Sequence, residues 1–289
     1  MNYRLNAVKA ISKRKILETF ITPGFYIALS VSMFLGYFLI NGFINSIDSS
    51  GLNYGLNPVY ELIAKSLSGS FGDTFVIKLF SEGPFLFALY VAYIPFLFYL
   101  AVSSVFKFGF EKKVGAIELL VYGPSDGTSY FLASLVKDTV FTIIFMAVIL
   151  IFFWITALLN NLILGPMFFY SLIVILFLSL TFFAYGTLSA VATDSAASGI
   201  ALFLGISILF VILQIGSFAI ISGYVINLSN VLAWIVKWIS PLFYWHLALS
   251  AINYSDTGGF ILNLLFLLIL SSLILVISHF ILKGRGVRV

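Results

Sequence analysis

The stretch TVFTIIFMAVILIFFWITALL, residues 139–159, decides what kind of molecule this is. It runs 21 residues without an Asp, Glu, Lys or Arg. A helix rising about 1.5 Å per residue crosses the roughly 30 Å of bilayer hydrocarbon at that length. Five more such runs lie at 24–44, 84–106, 167–189, 199–221 and 260–282, each 21 to 23 residues long. Backbone groups in lipid must bond to one another, which selects helices here, because a barrel would read as shorter alternating segments. Composition agrees: the 289 residues are 62% hydrophobic and 9% charged, whereas soluble domains carry roughly 25% charged residues. The expectation is an all-α integral membrane protein, a single six-span domain over residues 1–289.

Charge sets the expected orientation. The formal net charge is +4, but the basic residues lie in interspan flanks rather than in a nucleic-acid-binding patch. Twelve of the 15 fall on one side (Arg4, Lys9, Lys13, Arg14, Lys15, Lys107, Lys112, Lys113, Lys137, Lys283, Arg285, Arg288) and Lys65, Lys78 and Lys237 on the other. Short basic flanks stay in the cytoplasm, so both termini are expected there in a multi-pass protein of the cell membrane. The first run is too long for a signal-peptide core and no Ala-x-Ala-like site follows it, so it counts as a span. Residues 1–23 place Leu5, Val8 and Ile11 beside the basic run Lys13 to Lys15, the pattern of an interfacial helix meeting anionic lipid.

The outward segment 45–83 is polar and Gly/Ser-rich, with a short helix expected after Pro58. Between the fifth and sixth runs, 231–252 is apolar but carries Lys237, Pro241 and His246. A seventh crossing there would carry Lys283, Arg285 and Arg288 outside, so short helices in the outer interface are expected instead. Trp234, Trp238 and Trp245 suit headgroup depth.

The missing chemistry is also informative. There is no GxxxxGK[ST] run, no HExxH, no GxSxG and no Cys, which leaves no P-loop hydrolysis, no thiolate chemistry and no expected metal site. The two histidines, His246 and His279, read as interfacial. None of the six runs holds a carboxylate or a basic residue, so a gradient-driven pump, which usually keeps a titratable ligand at depth, is disfavoured.

The loop between the second and third runs, within residues 107–138, reads Phe110-Glu111-Lys112-Lys113-Val114-Gly115-Ala116-Ile117-Glu118-Leu119-Leu120, then Gly123-Pro124-Ser125. As a helix it places Glu111, Gly115 and Glu118 on one face, two carboxylates around a residue with no side chain, where a partner can approach closely. Pro124 ends the element and a new helix from Thr128 would run 32 residues to Leu159, about 48 Å, longer than the hydrocarbon is thick. Such a helix is a lever with a peg at its inner end. The plainer reading of Glu111 and Glu118 is a solvated charged face.

This pattern resembles the permease subunits of type 2 ATP-binding-cassette transporters, mostly exporters. Their run between spans two and three, Glu-(Lys/Arg)-x-x-Gly-Thr-x-Glu-Leu-Leu followed by Ser-Pro or Gly-Pro, is matched at Glu111, Lys112, Gly115, Glu118, Leu119, Leu120 and Pro124. Ala116 stands where the family has Thr, and Phe20-Ile21-Thr22-Pro23 extends the match to the elbow. The chain looks closest to the branch of gliding-motility and nitrous-oxide-reductase-maturation permeases. The resemblance implies an N-terminal amphipathic elbow helix and six spans. It also implies an ABC ATPase subunit that binds ATP and Mg and docks on Glu111, Gly115, Glu118, Leu119 and Pro124, and a dimer with a second copy or a paralogue. The chain itself would hold no cofactor and catalyse nothing.

Other residues carry weaker signals. Tyr90, Tyr93 and Tyr99 in the second run and Gln214 in the fifth offer a path for an amphipathic substrate, or else interhelical hydrogen bonds. Gly186, Ala190, Gly199, Gly205 and Gly216 suit close helix packing. A gradient-driven carrier and a non-transporting scaffold or mechanical transmitter are the competing functions.

Overall fold

The computed structural model describes residues 2–48, 84–113, 127–221, 238–253 and 255–284. Eight helices and no strands occur among them: α1 Asn2–Ile21, α2 Pro23–Asp48, α3 Pro84–Lys113, α4 Gly127–Leu159, α5 Pro166–Ala192, α6 Ala196–Ile221, α7 Pro241–Asn253 and α8 Thr257–Gly284. Proline opens α2, α3, α5 and α7, at the position where its missing N–H leaves no helical bond unmade. The helix α4 spans 33 residues, starting one residue before the expected Thr128. Gly115, Glu118, Leu119 and Pro124, the segment after Pro58, and Trp234 lie outside the described residues.

Stretches of α2, α3, α4, α5 and α8 are each long and apolar enough to cross a membrane, and they range from 21 to 31 residues. The chain is thus an all-α, multi-pass membrane-type protein. The fifth apolar run lies in α6, where Ala196–Ile212 is a shorter apolar stretch. Large side chains point out of the bundle along these helices, among them Phe34, Phe38, Ile94, Ile151, Trp154, Leu265, Ile269 and Val276. Water would penalise such a surface heavily, and lipid does not.

Packing is organised around α3 and α5. The helix α3 touches α2, α5 and α6; α5 touches α4, α6, α7 and α8; and α1 lies against α4. Every fourth residue of α4 is buried: Ala133, Lys137, Phe141, Phe145, Ile149, Phe153 and Ala157. This single stripe faces the core. Phe145 stacks on Phe96 of α3 with centroids 4.0 Å apart. Neutral hydroxyls join the spans as well: Thr181 and Ser271 lie 2.8 Å apart between α5 and α8, a type of contact worth about 0.6 kcal/mol in lipid.

The small residues divide. Gly109 permits contact of α3 with the start of α6, since a Cβ there would come within 2.7 Å of the Ala196 Cα. Gly186 and Gly199 also have close neighbours, whereas a Cβ at Gly205 would meet nothing within 4 Å among the described residues.

Two expectations are corrected. The first is that α1 would turn the whole of its basic run toward lipid: Lys13 and Arg14 are exposed, but Lys15 is buried with Ser12 and Thr19, while Leu5, Leu17 and Ile21 are exposed. The polar face docks because it meets polar partners on α3 and α4. The second is that α7 would lie flat in an interface. It packs inside the bundle, antiparallel to α5: the Tyr185 hydroxyl donates to the Ile239 carbonyl at 2.6 Å, Ala248 clusters with Val174, and Ile252 packs on Met167. From Met167 to Tyr185 is 18 residues, about 27 Å of helix. The segment from Ile239 to Ile252 lies alongside this part of α5, with Trp245 against Tyr90 at 5.2 Å.

Candidate coupling site at the basic end of the bundle

Three helices meet at the end of the bundle that carries Lys15, Lys107 and Lys137. Glu111 lies in the last turn of α3, Tyr130 in the first turn of α4, and Lys15 on the inward face of α1. The Tyr130 hydroxyl donates to the Glu111 carboxylate. The Lys15 ammonium sits 3.4 Å from the centre of the Tyr130 ring, donates to Ser134 Oγ at 2.7 Å, and lies 3.8 Å from Glu111. Residues 114–126 connect α3 to α4, so Glu111 and Tyr130 tie the two legs of that loop together. Lys15 fastens both legs to α1.

Further bonds repeat this pairing. Lys107 of α3 donates to Thr19 Oγ1 of α1 at 3.3 Å. Ser104 of α3 donates to Asp138 of α4 at 2.7 Å, and Lys137 pairs with Asp138 at 2.8 Å while reaching Ser104 at 3.2 Å. Phe108 packs on Tyr130 and Phe131 beneath these bonds, with centroids 5.8 and 5.7 Å away. Lys137 and Asp138 are only 3% and 4% exposed. Charges this buried persist only when paired and hydrogen-bonded.

Burial pushes the Lys15 ammonium down to about 7. Glu111 and Asp138 oppose that shift, and Lys137 and Lys107 add to it. Arg14, next in sequence, is exposed and pairs with Glu18 at 2.7 Å, which raises its pKa. One turn of α1 thus carries a surface cation and a buried one with opposite shifts.

Of the residues singled out in the sequence, Glu111 belongs to this cluster, and its carboxylate is engaged within the bundle rather than turned to solvent. The tyrosines part company. Tyr93 is buried and shares a 2.7 Å hydrogen bond with Ser179 of α5, Tyr90 packs on Trp245, and Tyr99 sits against Gly24 at the start of α2. The three thus have separate partners, and the Gln214 side chain lies outside the described residues. His246 is half-buried in α7.

Sequence reasoning missed Lys15, Tyr130, Lys137 and Asp138. The signal for Lys137 was present: it stands four residues before Phe141 on the stripe that continues through Phe145 and Ile149. Lys15 shares a helical face with Ser12 and Thr19, and that polar face was legible. Its partner was not. The chain matches no protein-family model, no curated protein and no solved structure.

Proposed function

We propose that this chain is the membrane-spanning permease subunit of an ATP-binding-cassette transporter, an exporter with six spans and an N-terminal elbow helix. In this reading both termini lie in the cytoplasm of a cell-membrane dimer, and a separate ATPase docks on residues 114–124. The observation that carries the reading is the clamp of Lys15, Glu111 and Tyr130, because it stands at the two roots of the loop that resembles the family's coupling segment. A push on a free loop would bend the loop. A push on a loop whose roots are bonded to each other, to α1 and to the α4 stripe moves three helices together. ATP and Mg belong to the partner subunit, which supplies the energy.

A gradient-driven carrier is the second reading, and the buried pair Lys137–Asp138 favours it. The six apolar runs hold no Asp, Glu, Lys or Arg, but α4 continues beyond its run and buries Lys137 and Asp138 beside the core. One experiment separates the readings. Under the first, the purified chain neither binds nor hydrolyses ATP, and adding the partner ATPase creates hydrolysis and ATP-dependent export in vesicles. Transport by the chain alone, driven by an imposed ion gradient, supports the second.

A further inference from the structure

A small cavity of about 20 Å³ lies between α1, α3, α4 and α5, beside the clamp, and its walls include Lys15, Lys107, Lys137 and Ser134 over the rings of Phe108 and Phe131. Three lysines line it, and no carboxylate does among the described residues. Asp138 lines a different cavity, against Tyr93 and Ser179. The acids around it are Glu111, held by Tyr130, Asp138, held by Ser104 and Lys137, and Glu18 of α1, which pairs with the exposed Arg14 and also acts on Lys107. Among the described residues, α1 presents Lys15 and, at the outer side, the Arg14–Glu18 pair, whose charges cancel; α3 presents Lys107 and Glu111, and α4 presents Tyr130, Lys137 and Asp138. The α5 wall, Phe183 and Thr187, brings no charge. Three cations against two carboxylates leave one positive charge in a buried site.

The donors are also in excess. Ser134 accepts from Lys15, so its own hydroxyl proton is free to donate. Lys107 is committed only to Thr19, and Lys15 has its long ion pair, its bond to Ser134 and its place over the Tyr130 ring. We infer that this cavity is a binding site for a small monovalent anion, a halide such as chloride, held by Lys15, Lys107, Lys137 and the Ser134 hydroxyl. Size selects the class: room for one or two water-sized particles admits a halide and excludes phosphate or a carboxylate-bearing molecule. A halide supplies the missing negative charge and accepts from several donors at once. The half-buried Lys107 is the way in. This inference does not rest on the proposed function.

Charge balance has one other solution, loss of the Lys15 proton, and burial already lowers that pKa to about 7. Anion affinity is therefore greatest below that pH and falls as the ammonium titrates. The test is the thermal stability of the purified full chain in chloride against gluconate at matched ionic strength, across a pH series, with bromide binding read directly by anomalous scattering. The expected result is a melting temperature that rises with chloride at acidic pH, an increment that shrinks as pH rises through 7, and bromide between the three lysines. Lys15→Met removes the excess charge and abolishes the chloride increment. Ser134→Ala keeps the charges and weakens it several-fold, and Lys9→Ala on the exposed face of α1 leaves it intact. Equal melting of the wild-type chain in chloride and gluconate at every pH, or a chloride increment that survives in Lys15→Met, overturns the inference.

Discussion

At Lys15 the cost of burying an ammonium is offset by Ser134, Glu111 and the face of Tyr130, contributed by two helices far away in sequence. Glu111 is likewise held by two residues, and its bond from Tyr130 is charge-assisted, the stronger kind. A double-mutant cycle measures the clamp. Glu111→Gln keeps an acceptor for Tyr130 but leaves Lys15 without its counter-ion, at an expected cost of about 1–3 kcal/mol. Tyr130→Phe removes one hydrogen bond and keeps the ring under Lys15, at about 1–2 kcal/mol. The double variant should lose less than the two added together, with a coupling of about 0.5–3 kcal/mol read from unfolding in detergent. Strict additivity would mean that the three residues do not act as one unit. Glu111 stood out in the sequence through its spacing from Gly115 and Glu118. Lys15 did not, because composition counts an ammonium as a surface charge and only the contact between α1 and α4 shows otherwise.

Among the elements, α4 was the most legible, since its unbroken apolar run and the restart after Pro124 fix both ends of a 33-residue helix. The least legible was α7. Its proline and Trp245 read as interfacial chemistry, and both belong to a helix packed beside α5, where Trp245 meets Tyr90. The chain contains no cysteine, so a single introduced thiol reports exposure against a clean background. Ala248→Cys, at a position with 0% exposure, should resist a membrane-impermeant thiol reagent, and Thr257→Cys, exposed at the start of α8, should react. Rapid labelling at position 248 would return α7 to the surface. The polar face of α1 is an intermediate case: its period showed that one side differed from the other, but not which side would be buried. That choice is made by Lys107, Glu111 and Ser134, which give its polar groups partners.

For the molecule as a whole, the apolar runs made the membrane class and the helical fold plain, while the order of packing, with α3 and α5 at the centre, depends on contacts between runs that read alike. Orientation rests on the basic residues, twelve of 15 of which fall on one side of the six-run reading. A reporter active only in the cytoplasm should work when fused after Val289 or inserted near Asp126, and fail near Asn53 or Ser255; activity at Ser255 would break the six-span arrangement. The central claim is that the loop rooted at Glu111 and Tyr130 receives a force-generating partner. Glu118→Lys places a cation where the resemblance puts a docking carboxylate, and reversing one charge in a desolvated contact costs several kcal/mol. Gly115→Leu obstructs a close backbone approach by bulk instead. The most direct measurement is therefore co-purification of an ATPase with the tagged chain in mild detergent, for the wild type, these two variants and Lys78→Ala as a control in the outward segment. The account predicts normal membrane levels for all four, retention of the ATPase by wild type and Lys78→Ala, and its loss from both loop variants together with substrate export. Full ATPase retention and export in Glu118→Lys and Gly115→Leu would contradict it and leave the loop a solvated connector.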